Sequence, residues 1–381
     1  MNKKTTFVAL CLAMSLGSWA QTKQGGISPQ MLSEIQKLQS QTPASKALFN
    51  AIAANNIDDL VKNHANQGPV DTHFSVETPA QSIHDQKSSG RCWMFSGFNV
   101  LRSNFAKAHG DSLKVELSHD YLFFYDQLEK ANLMLQGVID NAKKPIDDTR
   151  VQFFFKSPIN DGGTFCGVAD LADKYGVVPM SIVPETYSAE NTSRISRLVA
   201  SKLREFGLEL RDMVAKGKNA KAINERKTQM LATVYNMLSM TLGEPVKEFT
   251  YAFTDKNGKT VGTPKKYTPK EFFHEVVGDG IKGTFIMVMN DPRRPYHKTY
   301  EVEYDRHTYD GTNWKYLNLP MDEIAQLAIA SLKDGRKMYS SYDVGKQYDR
   351  KRGLLDVNNY DYASLFSTTF GMDKAQRIST F

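Results

Sequence analysis

Cysteine is scarce in this chain, with three in 381 residues. Cys11 falls in a stretch that reads as a removable leader, which leaves Cys92 and Cys166 for the mature protein. Two cysteines in an exported chain of this size exclude a disulfide scaffold. A bond between those two would deny Cys92 any nucleophilic role. Long apolar runs are missing as well. Past the first twenty residues no segment reaches about 18 consecutive apolar residues, so no membrane span is expected. An excess of one charge is nearly absent. The net charge is +6, and loss of Lys3 and Lys4 with a leader takes it to +4. So small a basic balance does not call for nucleic acid. Lysines and arginines are scattered, as at Arg293-Arg294 and Arg350-Lys351-Arg352, and are not gathered with aromatics into a base-stacking platform. No two histidines have a ligand-like i, i+4 spacing, so no metal site is expected. The chain has no internal repeat and no low-complexity tract.

What is present can build a large core. The hydrophobic content is 41% and the aromatic content 11%, which argues against disorder. The length allows two or three domains, or one enlarged domain. The start has three parts in secretory order: Asn2-Lys3-Lys4, an apolar stretch from Phe7 to Leu16, and Ser18-Trp19-Ala20. Residues 1–20 therefore read as a signal peptide, with Gln21 first after cleavage and export to the bacterial periplasm or beyond the cell. Residues 21–68 are polar, with a weak apolar period at Leu32, Ile35 and Leu38, and read as a helical N-terminal arm.

Periodicity then predicts helices. Met94, Phe98, Leu101 and Phe105 fall at four- and three-residue steps on a helix starting near Cys92, with Ser88 or Ser89 as its cap. Ser118 is a good cap for a second helix through Leu133. Gly162-Gly163 reads as a loop ahead of a helix from Val168 to Tyr175, closed by Gly176. Residues 191–243 read as a helical hairpin broken at Gly217, either a separate layer or part of the main core. Glu248 to Thr254, Thr284 to Met289 and Lys298 to Tyr304 read as strands, with Asn257-Gly258 as a turn. Thr268-Pro269-Lys270-Glu271 is a capping box. Met321 to Lys333 reads as a helix ended by Gly335.

The chemistry gathers around Cys92. A thiolate attacks a carbonyl, and a helix N-terminus favours that anion through its unpaired N–H groups. The tetrahedral intermediate then needs donors aimed at its oxyanion. The Cys92 N–H can be one donor and the Gln86 side-chain amide another, with Gly90 allowing a tight turn between them. An isolated cysteine is more often a small buried hydrophobe. Here Gln86, the Ser-Ser-Gly turn and Trp93-Met94-Phe95-Ser96 all favour the nucleophile.

The run Gln86-Lys87-Ser88-Ser89-Gly90-Arg91-Cys92-Trp93, with Phe95-Ser96, resembles the active-site segment of papain-like cysteine peptidases. In its detail it is similar to the bleomycin hydrolase (aminopeptidase C) branch. The likeness continues at Glu116-Leu117-Ser118 with Tyr121-Leu122-Phe123-Phe124, at Asn160-Asp161-Gly162-Gly163 and at Pro184-Glu185 with Tyr187. It reappears at Asn290-Asp291-Pro292 and at Asp343-Val344-Gly345-Lys346, and covers roughly residue 65 to the end. The resemblance implies an α+β, papain-like two-lobed peptidase fold over 69–381, with 191–243 as a helical insertion. It implies cofactor-free hydrolysis of peptides from the amino end, in a homohexamer with active sites facing an internal channel. It makes Cys92 the nucleophile and Gln86 the oxyanion partner. Gly162 and Gly163 would offer backbone groups to substrate, a role that suits glycine because an extended peptide can approach it closely.

A histidine base is the missing part. Papain-like enzymes place it about 130 to 150 residues past the cysteine, and residues 222–242 hold none. In the bleomycin hydrolase branch it follows a segment similar to Met372-Asp373-Lys374-Ala375-Gln376-Arg377, and its orienting asparagine comes later still. Both positions then fall past Phe381, as do the C-terminal part of the second lobe and the tail that restricts cleavage to the amino end. The expectation is a C-terminally incomplete chain, inactive and aggregation-prone when expressed alone. His84, His119, His274, His297 and His307 are the candidates to substitute. The alternative is a catalytically inactive homologue that binds or assembles, against which the intact Gln86 and Cys92 weigh.

Overall fold

The computed structural model describes residues 25–39, 42–79, 82–342, 344–345, 347–366 and 372. The expected signal peptide lies outside these residues, as do Asp343, Lys346 and 373–377 of the two late motifs. The chain divides into two compact units, one holding residues up to Pro69 with 343–377, the other Val70–Tyr342.

In the first unit, helices Pro29–Lys37 and Pro43–Ala54 start on Ser28 and Thr42, whose hydroxyls accept from Met31 and Ser45 amides. Neither helix buries a residue. Strands Tyr348–Asp349 and Leu354–Leu355 pair antiparallel, and Arg352 donates to the carbonyls of Asn66 and Gly68.

The second unit carries the peptidase motifs. Helix α1 (Cys92–Ala108) buries Met94, Phe98, Leu101 and Phe105 as the spacing predicts, together with Trp93. Helix α2 (His119–Asp140) starts on Ser118, whose hydroxyl accepts from the Tyr121 amide. Helices α3 (Thr149–Lys156) and α4 (Phe165–Tyr175) follow, and α4 begins three residues before the sequence suggests. Gly176, at φ 76°, closes α4 in a backbone conformation that favours glycine. Gly97 lets α1 and α4 touch, because a Cβ there would lie 2.6 Å from Val168 Cγ2.

After the short helix α5 (Tyr187–Glu190), residues 191–243 form the long helices α6 (Ser193–Ala215) and α7 (Ala220–Leu242), with Gly217 at φ 68° between them. Both pack on α2. Val199, Leu203, Met230 and Val234 join the same apolar cluster as Trp93 and Phe98, so the hairpin is continuous with the main core. Leu198, on the same helix as Val199 and Leu203, is 52% exposed.

The later part is made of short strands. Strands β1 (Leu113–Lys114) and β3 (Thr254–Asp255) pair antiparallel, as do β2 (Phe249–Tyr251) and β4 (Lys265–Tyr267). The single strand expected from 248 to 254 is thus two. The Phe249, Tyr251 and Tyr267 rings pack on Phe272 of α8 (Pro269–Val277), which opens with the expected capping box at Thr268 and Glu271. Strand β5 is only Val288–Met289, at the end of the predicted 284–289. It pairs parallel to β7 (Lys315–Asn318), and β6 (Lys298–Glu301) pairs antiparallel on the other side of β7. Helix α9 (Met321–Lys333) follows and buries no residue.

Candidate active site

Cys92 is the first residue of α1 and is exposed, while Arg91 before it and Trp93, Met94 and Phe95 after it are buried. A helix leaves its first N–H groups without an intrahelical acceptor, so the Cys92 amide stands beside its own thiol as a free donor. The cap differs from the sequence expectation. Arg91 occupies it with no side-chain hydrogen bond to the helix. The Ser89 hydroxyl instead donates to the Gln86 carbonyl at 2.6 Å and accepts from Arg91 Nε at 3.1 Å. A side chain committed to folding the loop cannot also cap the helix.

Residues 85 to 90 form a tight loop. The Lys87 amide donates to Asp85 Oδ1 at 2.8 Å, and Lys87 takes the left-handed φ of 53°. Gln86 Nε2 donates to the Ser89 carbonyl at 2.5 Å. That bond folds the Gln86 amide back toward the start of α1, and its second N–H remains as a donor.

Gly162 and Gly163 lie on the loop before α4. The Gly162 amide donates to Asn160 Oδ1 at 3.0 Å, and its carbonyl accepts from Lys130 Nζ at 2.6 Å. Both of its backbone groups are therefore engaged within the protein. Gly163 is exposed, and beneath it lie Trp93 and His307, so that a Cβ there would overlap the imidazole and reach within 2.9 Å of Trp93 Cδ2. Trp93 Nε1 donates to the Asp161 carbonyl at 2.8 Å. The glycine loop and α1 are thus fastened to each other.

Two buried charged clusters support this region, and neither was read from the sequence. In the first, Lys130 Nζ on α2 donates to Asp126 Oδ2 at 2.9 Å and to the Asn160 carbonyl at 3.0 Å, besides Gly162. His307 approaches the other Asp126 oxygen from Nδ1 at 2.5 Å. Burial pulls the Asp126 carboxyl up, but Lys130 and His307 outweigh it and hold it below its ordinary value. Burial, aided by the Lys130 charge, pushes His307 down, so a neutral imidazole donates to a carboxylate. In the second cluster, Arg91 Nη2 lies 2.8 Å from Glu185 Oε2, and His119 Nδ1 lies 3.4 Å from Glu185 Oε1. Neither contact has hydrogen-bond alignment, and burial pushes His119 down, so only Arg91 and Glu185 pair as charges. His119 stacks on Phe95 at 3.6 Å between ring centroids. Glu185 belongs to a motif visible in the sequence, but its partners are distant along the chain.

Each of the five candidate histidines has a partner other than Cys92. His84 meets Glu116, His119 meets Glu185, His274 meets the Gly278 carbonyl, His297 meets Glu323 and His307 meets Asp126. Among the described residues no cluster of three or more His, Cys, Asp or Glu could hold a metal ion, and no helix is long and apolar enough to cross a membrane.

An exposed thiol heading a buried helix, with a glutamine loop before it and a paired-glycine loop beside it, defines the papain-like class of cysteine peptidase. Comparison with known proteins agrees. Residues 26–381 match the Peptidase C1-like family. Aminopeptidase C of Lactobacillus delbrueckii subsp. lactis is 37% identical over 344 residues, 90% of this chain and 76% of that one. Bleomycin hydrolase of Homo sapiens is 36% identical over 317 residues, 80% of this chain and 68% of that one. The crystal structure of PepW from Lactobacillus rhamnosis superposes with a TM-score of 0.84 at 34% identity, covering 93% of this chain and 79% of that one. The chain belongs to the Peptidase C1-like family, in its bleomycin hydrolase and aminopeptidase C branch.

Proposed function

We propose that this protein is a thiol aminopeptidase that removes residues from the amino end of peptides through an acyl-enzyme on Cys92. The observation that carries this reading is the exposed Cys92 at the first turn of a helix whose next three residues are buried, with the Gln86 loop folded against that turn. The Cys92 sulfur attacks the scissile carbonyl carbon, and the C=O bond opens to an oxyanion. The Cys92 N–H and the Gln86 amide donate to that oxyanion. Collapse of the intermediate breaks the C–N bond, and the proton given up by the Cys92 thiol goes to the leaving amine. Water then cleaves the thioester, releasing the acid and regenerating the thiol. Gly163 offers backbone groups to the extended substrate, while Gly162, with both of its groups engaged, holds the loop. The thiol's proton requires a base, and none of the five histidines above is assigned to it.

Two further properties belong to this reading. The charged, apolar and small-residue order of residues 1–20 supports export by signal peptide to the periplasm or beyond the cell, tested by sequencing the secreted protein for a Gln21 start. The likeness to aminopeptidase C and bleomycin hydrolase supports a homohexamer, tested by light scattering.

The activity is tested with aminoacyl-aminocoumarin amides, free and N-acetylated. The full gene product is expected to cleave the free amine and spare the acetylated form. Cys92→Ser is expected to lower kcat at least about 1000-fold with KM little changed. Unaltered turnover in Cys92→Ser would remove the proposal.

A further inference from the structure

The Gln86–Gly90 loop has no regular secondary structure of its own, yet it must hold a hydrogen-bond donor to within a fraction of an ångström. Its fixed point comes from the glycine loop. Asp161 Oδ2 accepts the Gly90 amide at 2.6 Å and the Thr192 hydroxyl at 2.5 Å. Gly90 is required at that contact, because a Cβ there would overlap the Asp161 carboxylate. Thr192 is 1% exposed and occupies the cap position of α6, but its hydroxyl makes no capping bond. A threonine at that position ordinarily caps its helix, and here the hydroxyl serves Asp161 instead. Beside it, Asn191 forms a bridge with Ser88 of the same loop. The Asp161 carbonyl meanwhile takes the Trp93 indole N–H, one residue past the thiol.

Through Asp161 the foot of the helical hairpin, the oxyanion loop and the start of α1 therefore share one anchor. We infer that Asp161 is a positioning residue for the oxyanion hole, held in register by Thr192, so that the hairpin sets the placement of the Gln86 donor. Asp161 touches no reacting atom and acts through the Gly90 amide. The inference rests on the reading of Cys92 as nucleophile, and the experiment below separates the two.

The variants are Asp161→Ala, Asp161→Asn and Thr192→Val in the full gene product. Three quantities are measured: amide hydrogen exchange over residues 86–91, kcat and KM on an aminoacyl amide, and the rate of Cys92 alkylation by iodoacetamide. Alkylation develops no oxyanion, so it reports the thiol without the hole. Asp161→Ala is expected to speed exchange of the loop at least about 10-fold. It is expected to lower kcat about 30-fold, with KM and alkylation within about twofold of the parent. Asp161→Asn keeps an acceptor for the Gly90 amide and is expected to recover most of kcat. Thr192→Val, which leaves the Gly90 bond in place, is expected to cost about threefold and serves if Asp161→Ala does not fold. Unchanged loop exchange or unchanged kcat in Asp161→Ala would overturn the inference. So would kcat and alkylation falling together with no recovery in Asp161→Asn, which would make Asp161 merely structural. A parent protein that hydrolyses no aminoacyl amide would contradict the peptidase reading, while loop exchange would still decide the clamp.

Discussion

Cys92 and Cys166 are the same residue type in opposite circumstances. Cys166 is buried in α4, and burial pushes its thiol up, which keeps it protonated and inert at neutral pH. Cys92 is exposed at a helix start. Tyr339 lies near both sulfurs, and its hydroxyl is pushed up to about 12, chiefly by burial. It stays neutral at working pH and can donate a hydrogen bond without adding charge near Cys92. Gly163 shows the same dependence on surroundings. Its lack of a side chain admits the Trp93 and His307 rings beneath the loop, and not only substrate above it. Gly163→Ala is therefore expected to destabilise the protein by about 1–3 kcal/mol even without substrate. Urea denaturation of the unliganded variant checks this, and parent-like stability with a raised KM would confine the role of Gly163 to substrate.

At the scale of elements, α2 acts as the base plate of the glycine loop through Lys130. That cation satisfies Asp126 and two loop carbonyls at once. Lys130→Met leaves the Asp126 charge buried with one partner fewer, and is expected to cost about 3–5 kcal/mol. Chemical denaturation measures the loss, and a cost under about 1 kcal/mol would mean that the loop holds itself. This support was not legible in the sequence, because Lys130 and Gly162 meet only once α2 and α4 are packed. The apolar period was legible: Met94, Phe98, Leu101 and Phe105 share one buried stripe, and Ser118 caps α2 as its position suggests. The chemistry of Cys92 and Gln86 could be read because both sit within seven consecutive residues. Asp161 stood in plain view within Asn160-Asp161-Gly162-Gly163, yet its role needs Gly90 and Thr192, each far away along the chain. The Ser88 or Ser89 cap failed for a local reason, since the Ser89 hydroxyl accepts from Arg91 Nε instead of from a helix amide. The strand predicted over 284–289 shrank to Val288–Met289, because only those residues pair in register with β7.

For the molecule as a whole, stability is tied to pH through Asp120, one residue into α2 and 1% exposed. Burial first, and then the Glu185 charge, push its carboxyl up to about 7. Between about pH 4 and 7 the folded protein keeps a proton that the unfolded chain has released. Its contribution is thus full below about pH 4 and is lost as pH rises through about 7. Asp120→Asn is expected to flatten this slope and to raise stability at pH 8 by on the order of 3 kcal/mol. Urea midpoints at pH 5 and pH 8 check it, and parallel shifts in both proteins would contradict it. The same α2 helix that carries this buried acid also braces the glycine loop, so packing and chemistry share one scaffold. The central claim is that Cys92, and no other group, forms the covalent bond with the acyl carbon. The most direct test is to treat the protein with an amino-acid fluoromethyl ketone bearing a free α-amine and to map the adduct by peptide mass. The account predicts one label per chain, on Cys92, with Cys166 untouched and no label in Cys92→Ala. A label on Cys166, or equal labelling of Cys92→Ala, would contradict it.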